Sequence, residues 1–400
     1  MYSNMSRKGA LLCAVTVALA GCSSSSGLPQ PAVTATPAPQ LLRFSHVFSF
    51  SGTDGKHPYA ALIEINGALF GTTYGGGKYD SGTAFKVSAS GGQRVLHSFR
   101  GGSDGALPEA SLLDVAGALY GTTVNGGGSG EEGTVFKLGR AGRETVLHRF
   151  GAHADGANPY AGLIALSGML YGVTAGGGKY SQGTVFAIST SGTERVLYDF
   201  GRSNTDGSTP VAGLTAVDGS LYGTTAYGGT SYDGQNCPDY GCGTAFTIDP
   251  SGKLKTLYNF AGGNDGAFPA ASLIEVNGTL YGTTTSGGVA NDGTVFALTP
   301  SGVEQVVYSF KGGADGAGPQ GLVNVSGTLY GTTSGGGANN DGTIFAVVAT
   351  SGVESVLYTF KGGVDGAQPR CGLLDVNGTL YGTTALGGVG QDGTVFKLVP

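Results

Sequence analysis

The chain has 400 residues, of which 77 are Gly and 15 Pro, with no Trp and 12% charged residues. Glycine stands far above the ~7% of ordinary proteins, yet an apolar content of 40% excludes intrinsic disorder, which needs low hydrophobicity and high net charge. No Gly-x-y triplet persists, so the glycine is not collagenous, and a net charge of −6 gives no electrostatic footprint for nucleic acid.

The first element in the chain is an address. Arg7 and Lys8 precede an apolar run over residues 10–20, too short to span a bilayer and suited to a secretory signal. The run ends in Leu19-Ala20-Gly21-Cys22, which resembles the lipobox of bacterial lipoproteins. That resemblance implies removal of residues 1–21, Cys13 among them, and acylation of Cys22 on its thiol and its new amine. Several acyl chains, each CH₂ contributing about 0.8 kcal/mol, make such an anchor effectively permanent. Ser23 in place of Asp implies, by the same resemblance, an outer-membrane lipoprotein of the cell envelope. The alternative is an ordinary secretory signal that happens to contain Cys. Residues 22–40, with four prolines after the serine run, then read as a tether to the remaining domain, residues 41–400.

Beyond the tether the chain repeats with a period of about 50 residues. Asp-Gly followed by Pro recurs at Asp54, Asp104, Asp155, Asp206, Asp265, Asp315 and Asp365. In phase with it come a Leu-aromatic-Gly block, at Phe70, Tyr120, Tyr171, Tyr222, Tyr281, Tyr330 and Tyr381, and a Gly-Thr-x-Phe block ending at Phe85, Phe136, Phe186, Phe246, Phe296, Phe345 and Phe396. Each unit holds four strand-like runs, the first two joined by turns of the Asn277-Gly278 kind, and no segment keeps a 3.6-residue apolar period. The expected fold is all-β: a seven-bladed β-propeller with four-stranded blades. The last unit stops after its third strand, while residues 44–50 (FSHVFSF) match the missing fourth, aligning with SVLYTF of blade six. The amino-terminal strand is therefore expected to join the last blade and close the ring, leaving no open sheet edge.

LYGTT, paired Gly, DGTVF, VLYSF and GGxDGAxP in fixed order resemble the GloVer tandem-repeat proteins, a bacterial family with a choice of anchors; the resemblance covers residues 44–400. It implies surface attachment by varying means, here the acylated Cys, and carries no catalytic set or cofactor. The paired glycines also resemble kelch repeats.

Two readings compete for the rim. The repeated aspartates, with Asp80, Glu131, Glu132, Asp233, Asp239, Asp292, Asp341 and Asp392 on the same face, could make a calcium surface, since hard cations take clustered carboxylates. A residue present in every blade more readily serves the turn, accepting backbone N–H bonds. Function belongs where the repeat breaks. After each loop proline stands Tyr59, Glu109, Tyr160, Val211, Ala270, Gln320 or Arg370, and Tyr59, Glu109, Tyr160, Gln320 and Arg370 together suit a sugar or peptide. Neutral drift at a solvated rim is the plain alternative. Blade four carries a longer loop, residues 226–243, with Tyr227, Tyr232 and Tyr240 and with Cys237 and Cys242 placed for a disulfide in an exported chain. Cys371 sits in a slot held by Ala110 and Ala271 elsewhere, and His97 and His148 occupy the place of Tyr198, Tyr258, Tyr308 and Tyr358. No metal or other cofactor is implied by the histidine spacing. The expected activity is a lipid-anchored binding or scaffold module for a glycan or protein. The alternatives are a polysaccharide-acting enzyme using Glu109 with a second carboxylate, or a structural component of an envelope assembly.

Overall fold

The computed structural model describes residues 42–128, 130–151, 155–203, 205–230, 237 and 240–400; the signal, Cys22 and the tether lie outside the described residues, as does Tyr232. Seven four-stranded antiparallel sheets form a β-propeller. Blade one consists of Ile63–Ile65, Ala68–Thr73, Thr83–Ser88 and Gln93–Ser98, in that order from the channel outward. The short inner strands turn back through two-residue hairpins such as Asn277-Gly278, at φ 52° and 80°. Both values are positive, as the type I′ hairpin demands, and Gly takes the second without steric cost.

The seventh blade is composite. Leu374–Val376, Thr379–Thr384 and Thr394–Val399 come from the carboxyl-terminal end, and Arg43–Ser49 is the outermost strand. That strand runs antiparallel to the third, pairing Arg43 with Val399 and Ser49 with Thr394, and its register shifts between His46 and Phe48. The same bulge interrupts the outer strand of other blades beside Phe186, Phe246 and Phe296. Phe50 N–H then donates to Gly393 O at 3.0 Å, as Phe99 N–H does to Gly82 O in blade one. The closing strand thus reproduces an ordinary fourth strand through its irregularity as well as its pairing.

Between blades, each outer strand ends in a buried Phe that meets the third-strand Phe of the next blade edge to face. Phe99 and Phe136 are 5.1 Å apart, Phe200 and Phe246 5.3 Å, Phe360 and Phe396 5.2 Å, and Phe50 and Phe85 5.0 Å across the closure. Such contacts add about 0.5–1.5 kcal/mol to their apolar burial. The glycine of Leu-aromatic-Gly makes room for the ring: a Cβ on Gly282 would lie 2.5 Å from the tip of Phe296. Threonines supply the polar counterpart. Thr72, Thr122 and Thr332 donate to Ala110 O, Ala161 O and Cys371 O of the following blade, and Thr383 donates to Pro58 O between the last blade and the first.

The repeated aspartates serve their turns. Asp104, Asp206, Asp265, Asp315 and Asp365 each accept the backbone N–H of the residue four earlier, and Asp54 that of Ser51. Tyr198, Tyr258, Tyr308 and Tyr358 donate their hydroxyls to these carboxylates at 2.7–2.8 Å. A glutamate from the neighbouring blade's outer strand reaches two of the same sites: Glu304 faces Asp265 and Glu354 faces Asp315. Burial, and then the charge of Asp315, pushes the Glu354 carboxyl from its ordinary 4.5 up to about 7.

Two outcomes follow from this packing. Phe50→Ala removes a fully buried ring at the closure and is expected to cost about 3–5 kcal/mol, read as a drop in the denaturant midpoint; a loss no greater than that of a surface change would contradict the closure energetics. Because the folded state holds Glu354 neutral, the stability it contributes is complete below pH 4.5 and is lost as pH rises through about 7. Thermal melts of Glu354→Gln across that window should therefore fall less steeply than those of the unaltered chain.

Candidate functional site

The residue after each loop proline lies just ahead of the inner strand of its blade, or within it in blade six, and the seven converge on the mouth of the channel. Tyr59, Glu109, Tyr160, Val211, Ala270, Gln320 and Arg370 line one cavity of about 520 Å³, together with Tyr74. Beneath them the channel continues between small residues, among them Ala60, Ala110, Ala161, Ala212, Gly321 and Cys371, around a further space of about 260 Å³. Cys371 is buried, with its thiol 3.1 Å from Thr383 Oγ1, so it fills a small-residue slot under the rim.

The mouth has a polar half and an apolar half. Val211 and Ala270, adjacent in blade order, face the aromatic and charged groups. The Arg370 guanidinium lies 5.6 Å from the centre of the Tyr59 ring, a cation–π contact, and Tyr59 packs against Tyr74 at 5.3 Å. No carboxylate lies in ion-pair contact with Arg370 among the described residues. Gln320 Nε2 donates to Gly318 O, which orients its amide oxygen away from that carbonyl. Burial raises the Glu109 carboxyl to about 7, against the lowering effect of the Arg370 charge. Burial also raises the hydroxyl pKa of Tyr59 and of Tyr160, so both remain donors throughout the neutral range. At neutral pH the cavity therefore presents a guanidinium, an amide, phenol hydroxyls, and a carboxyl poised between acid and base.

Glu109 is the one carboxylate among the described residues that line the mouth. The acid–base pair of a glycoside hydrolase needs two, roughly 5–9.5 Å apart, so the paired-carboxylate expectation finds no partner in the cavity wall. Tyr74 was not among the sequence candidates. It follows the Gly-Thr-Thr of blade one, where the other blades place Val124, Ala175, Ala226, Thr285, Ser334 and Ala385, so the same break in the repeat marks it.

Tyr227, Tyr240 and the two cysteines of the blade-four loop are not among the residues that line the cavity. Tyr227 bridges to Ser208 and packs against Phe268 at 5.3 Å and Tyr240 at 6.1 Å, and Tyr240 is 72% exposed. Cys237 and Cys242 are joined as a disulfide with Cα atoms 5.2 Å apart, and both are buried in the core beside Tyr222 and Phe260. The histidines stand in for the tyrosines, as their place in the repeat suggested. His97 Nε2 lies 3.2 Å from Asp104 Oδ2, and His148 Nε2 lies 2.8 Å from Asp155 Oδ2, in the place of the tyrosine hydroxyls.

A sequence model of the Gloeobacter/Verrucomicrobia repeat matches residues 10–237 and 235–400. Among curated proteins none matches the chain. Similar backbones occur in oligogalacturonate lyase in complex with manganese, with a TM-score of 0.55 and 11% identity over 90% of each chain. The extracellular domain of a protein described as a one-component system of B. thetaiotaomicron gives 0.55 and 11%, covering 89% of this chain and 39% of that one. Puromycin hydrolase gives 0.51 and 12%, covering 83% and 50%. At these identities the likeness establishes the fold and leaves chemistry to the site itself.

The influence of the Arg370 charge on the Glu109 carboxyl is directly measurable. Arg370→Met removes the influence that holds Glu109 down, so its midpoint should move above about 7 in a carboxyl-carbon NMR titration. A midpoint that stays in place or falls would show that the two side chains do not share the mouth.

Proposed function

Since the chain belongs to the Gloeobacter/Verrucomicrobia repeat family, whose repeats here build one closed ring, we propose that it is an exported, lipid-anchored binding module that takes a carbohydrate at the channel mouth. The observation that carries this reading is the convergence of the seven variable positions on one cavity, while their neighbours in the repeat hardly change. A rigid ring presenting variable side chains separates specificity from folding, the arrangement expected when loops and rims carry recognition. Tyrosine faces suit the apolar face of a sugar ring, while Gln320, Arg370 and Glu109 suit its hydroxyls.

Anchoring rests on the signal and Cys22. Cys22→Ala is expected to move the protein from the membrane fraction to the soluble envelope fraction, and mass spectrometry of the amino-terminal peptide should find an acylated Cys22. An unmodified Cys22 in membrane-associated protein would refute the lipid anchor.

The carbohydrate reading is tested with the full-length chain on an array of bacterial and plant oligosaccharides. Tyr59→Ala and Tyr160→Ala should each weaken a hit by about tenfold, on the order of 1.4 kcal/mol, while Tyr240→Ala leaves it unchanged. No hit above background, or a hit indifferent to both rim tyrosines, would overturn it; release of shorter sugars from the hit would replace binding by catalysis.

A further inference from the structure

Two interfaces between blades assemble three metal-ligating side chains apiece, away from the channel. His97 from the outer strand of blade one meets Asp104 of the following loop and Glu144 of the next outer strand. His148, Asp155 and Glu194 repeat the arrangement one blade on. Within each set the ligand atoms all lie within 4.8 Å of one another. We propose that each of these interfaces holds a divalent transition-metal ion through its histidine nitrogen and two carboxylate oxygens.

The argument starts from the carboxylates. Bringing Asp and Glu together at a partly dry interface is unfavourable unless a proton or a cation comes between them. Oε1 of Glu144 and Oε1 of Glu194 are shut off from solvent and lack a hydrogen-bond partner, as is also true of Oε1 of Glu304 and of Glu354, so what sets the two histidine interfaces apart is the imidazole nitrogen that joins the carboxylates there. At each interface an ion with a double positive charge would satisfy the glutamate oxygen and neutralise the Asp–Glu pair. The ring supplies its own comparison. Glu304 with Asp265, and Glu354 with Asp315, repeat the carboxylate pair, but there the third group is the hydroxyl of Tyr258 or Tyr308, which donates to the Asp. A phenol in that role occupies the space with a proton. An imidazole offers a nitrogen ligand instead, and two consecutive interfaces have it.

The ligand chemistry narrows the ion. Calcium prefers an all-oxygen shell of six to eight ligands, whereas nitrogen with carboxylate oxygen suits zinc, cobalt or manganese, with the remaining positions left to water. The side chains of His148 and Asp155 are each 19% exposed, enough for an ion to enter from solvent. Asp155 divides its work, Oδ1 accepting the Gly151 N–H while Oδ2 faces the imidazole.

The test exploits the repeat. His97→Tyr and His148→Tyr install the residue that four other blades carry, which should leave the ring intact, as near-ultraviolet circular dichroism will report. Equilibrium dialysis of the full-length chain against Zn²⁺ should show two more ions bound than in the double variant, and one more than in either single variant. Affinity at a vacated interface should fall by more than about tenfold. Co²⁺ should give a visible absorption band that the double variant loses, and Zn²⁺ should raise the melting temperature of the parent chain alone. Equal stoichiometry in the parent and the double variant, with no Zn²⁺-dependent stabilisation, overturns the proposal. If the tyrosine variants fail to fold, Glu144→Gln with Glu194→Gln gives the same decision through the same readouts.

Discussion

The edge-to-face contact between a phenylalanine closing one blade and a phenylalanine inside the next is the interaction on which the ring depends. It crosses the seven junctions, including the one where Phe50, from the start of the chain, meets Phe85. The ring tip of each third-strand Phe leaves no space for a side chain on the second strand, so a glycine stands opposite it in every blade, Gly71 through Gly382. Part of the glycine excess is therefore a packing requirement and part a matter of turns. Close approach in turn places the second-strand threonines within reach of the neighbouring carbonyls, so polar pairing follows from the aromatic spacing.

A ring held in this way fixes the direction of one residue per blade at its axis. The side chains at these positions are released from packing duty, which is why Tyr, Glu, Val, Ala, Gln and Arg can all stand there over an unchanged frame. Glu109 shows what such a position can do. Its carboxyl is raised by burial and restrained by a guanidinium contributed from the far end of the sequence, so its state is set by the assembled ring and not by its own blade.

Much of this was legible in the sequence because a repeat prints the same geometry several times. Alignment of residues 44–50 with the end of blade six revealed the closure, since a missing strand and a spare one are complementary facts. The variable rim positions were legible for the same reason. Tyr74 carries the same kind of mark at the end of the second strand, where the other blades place smaller residues, but its approach to the mouth depends on the folded ring. The groupings around His97 and His148 were not readable from spacing: Asp104 is local to His97, but Glu144 arrives from the next blade, and only the inter-blade packing brings its oxygen into place. The histidines stand in for tyrosine in position and in their contact with the loop aspartate, and an imidazole differs in having a second ring nitrogen and a lone pair to offer.

The composite seventh blade also has a mechanical meaning. Its outer strand is the only one whose covalent connection to its own sheet runs through the whole disc. A pull on Arg43 directed along the strand, with the third strand held at its far end beside Thr394, loads the ladder of hydrogen bonds in shear and not one rung at a time. Such a seam gives way as a unit or holds as a unit. The bulge at His46 and Phe48 and the socket around Phe50 act as detents against sliding, so the point at which the circle is joined is also locked lengthwise.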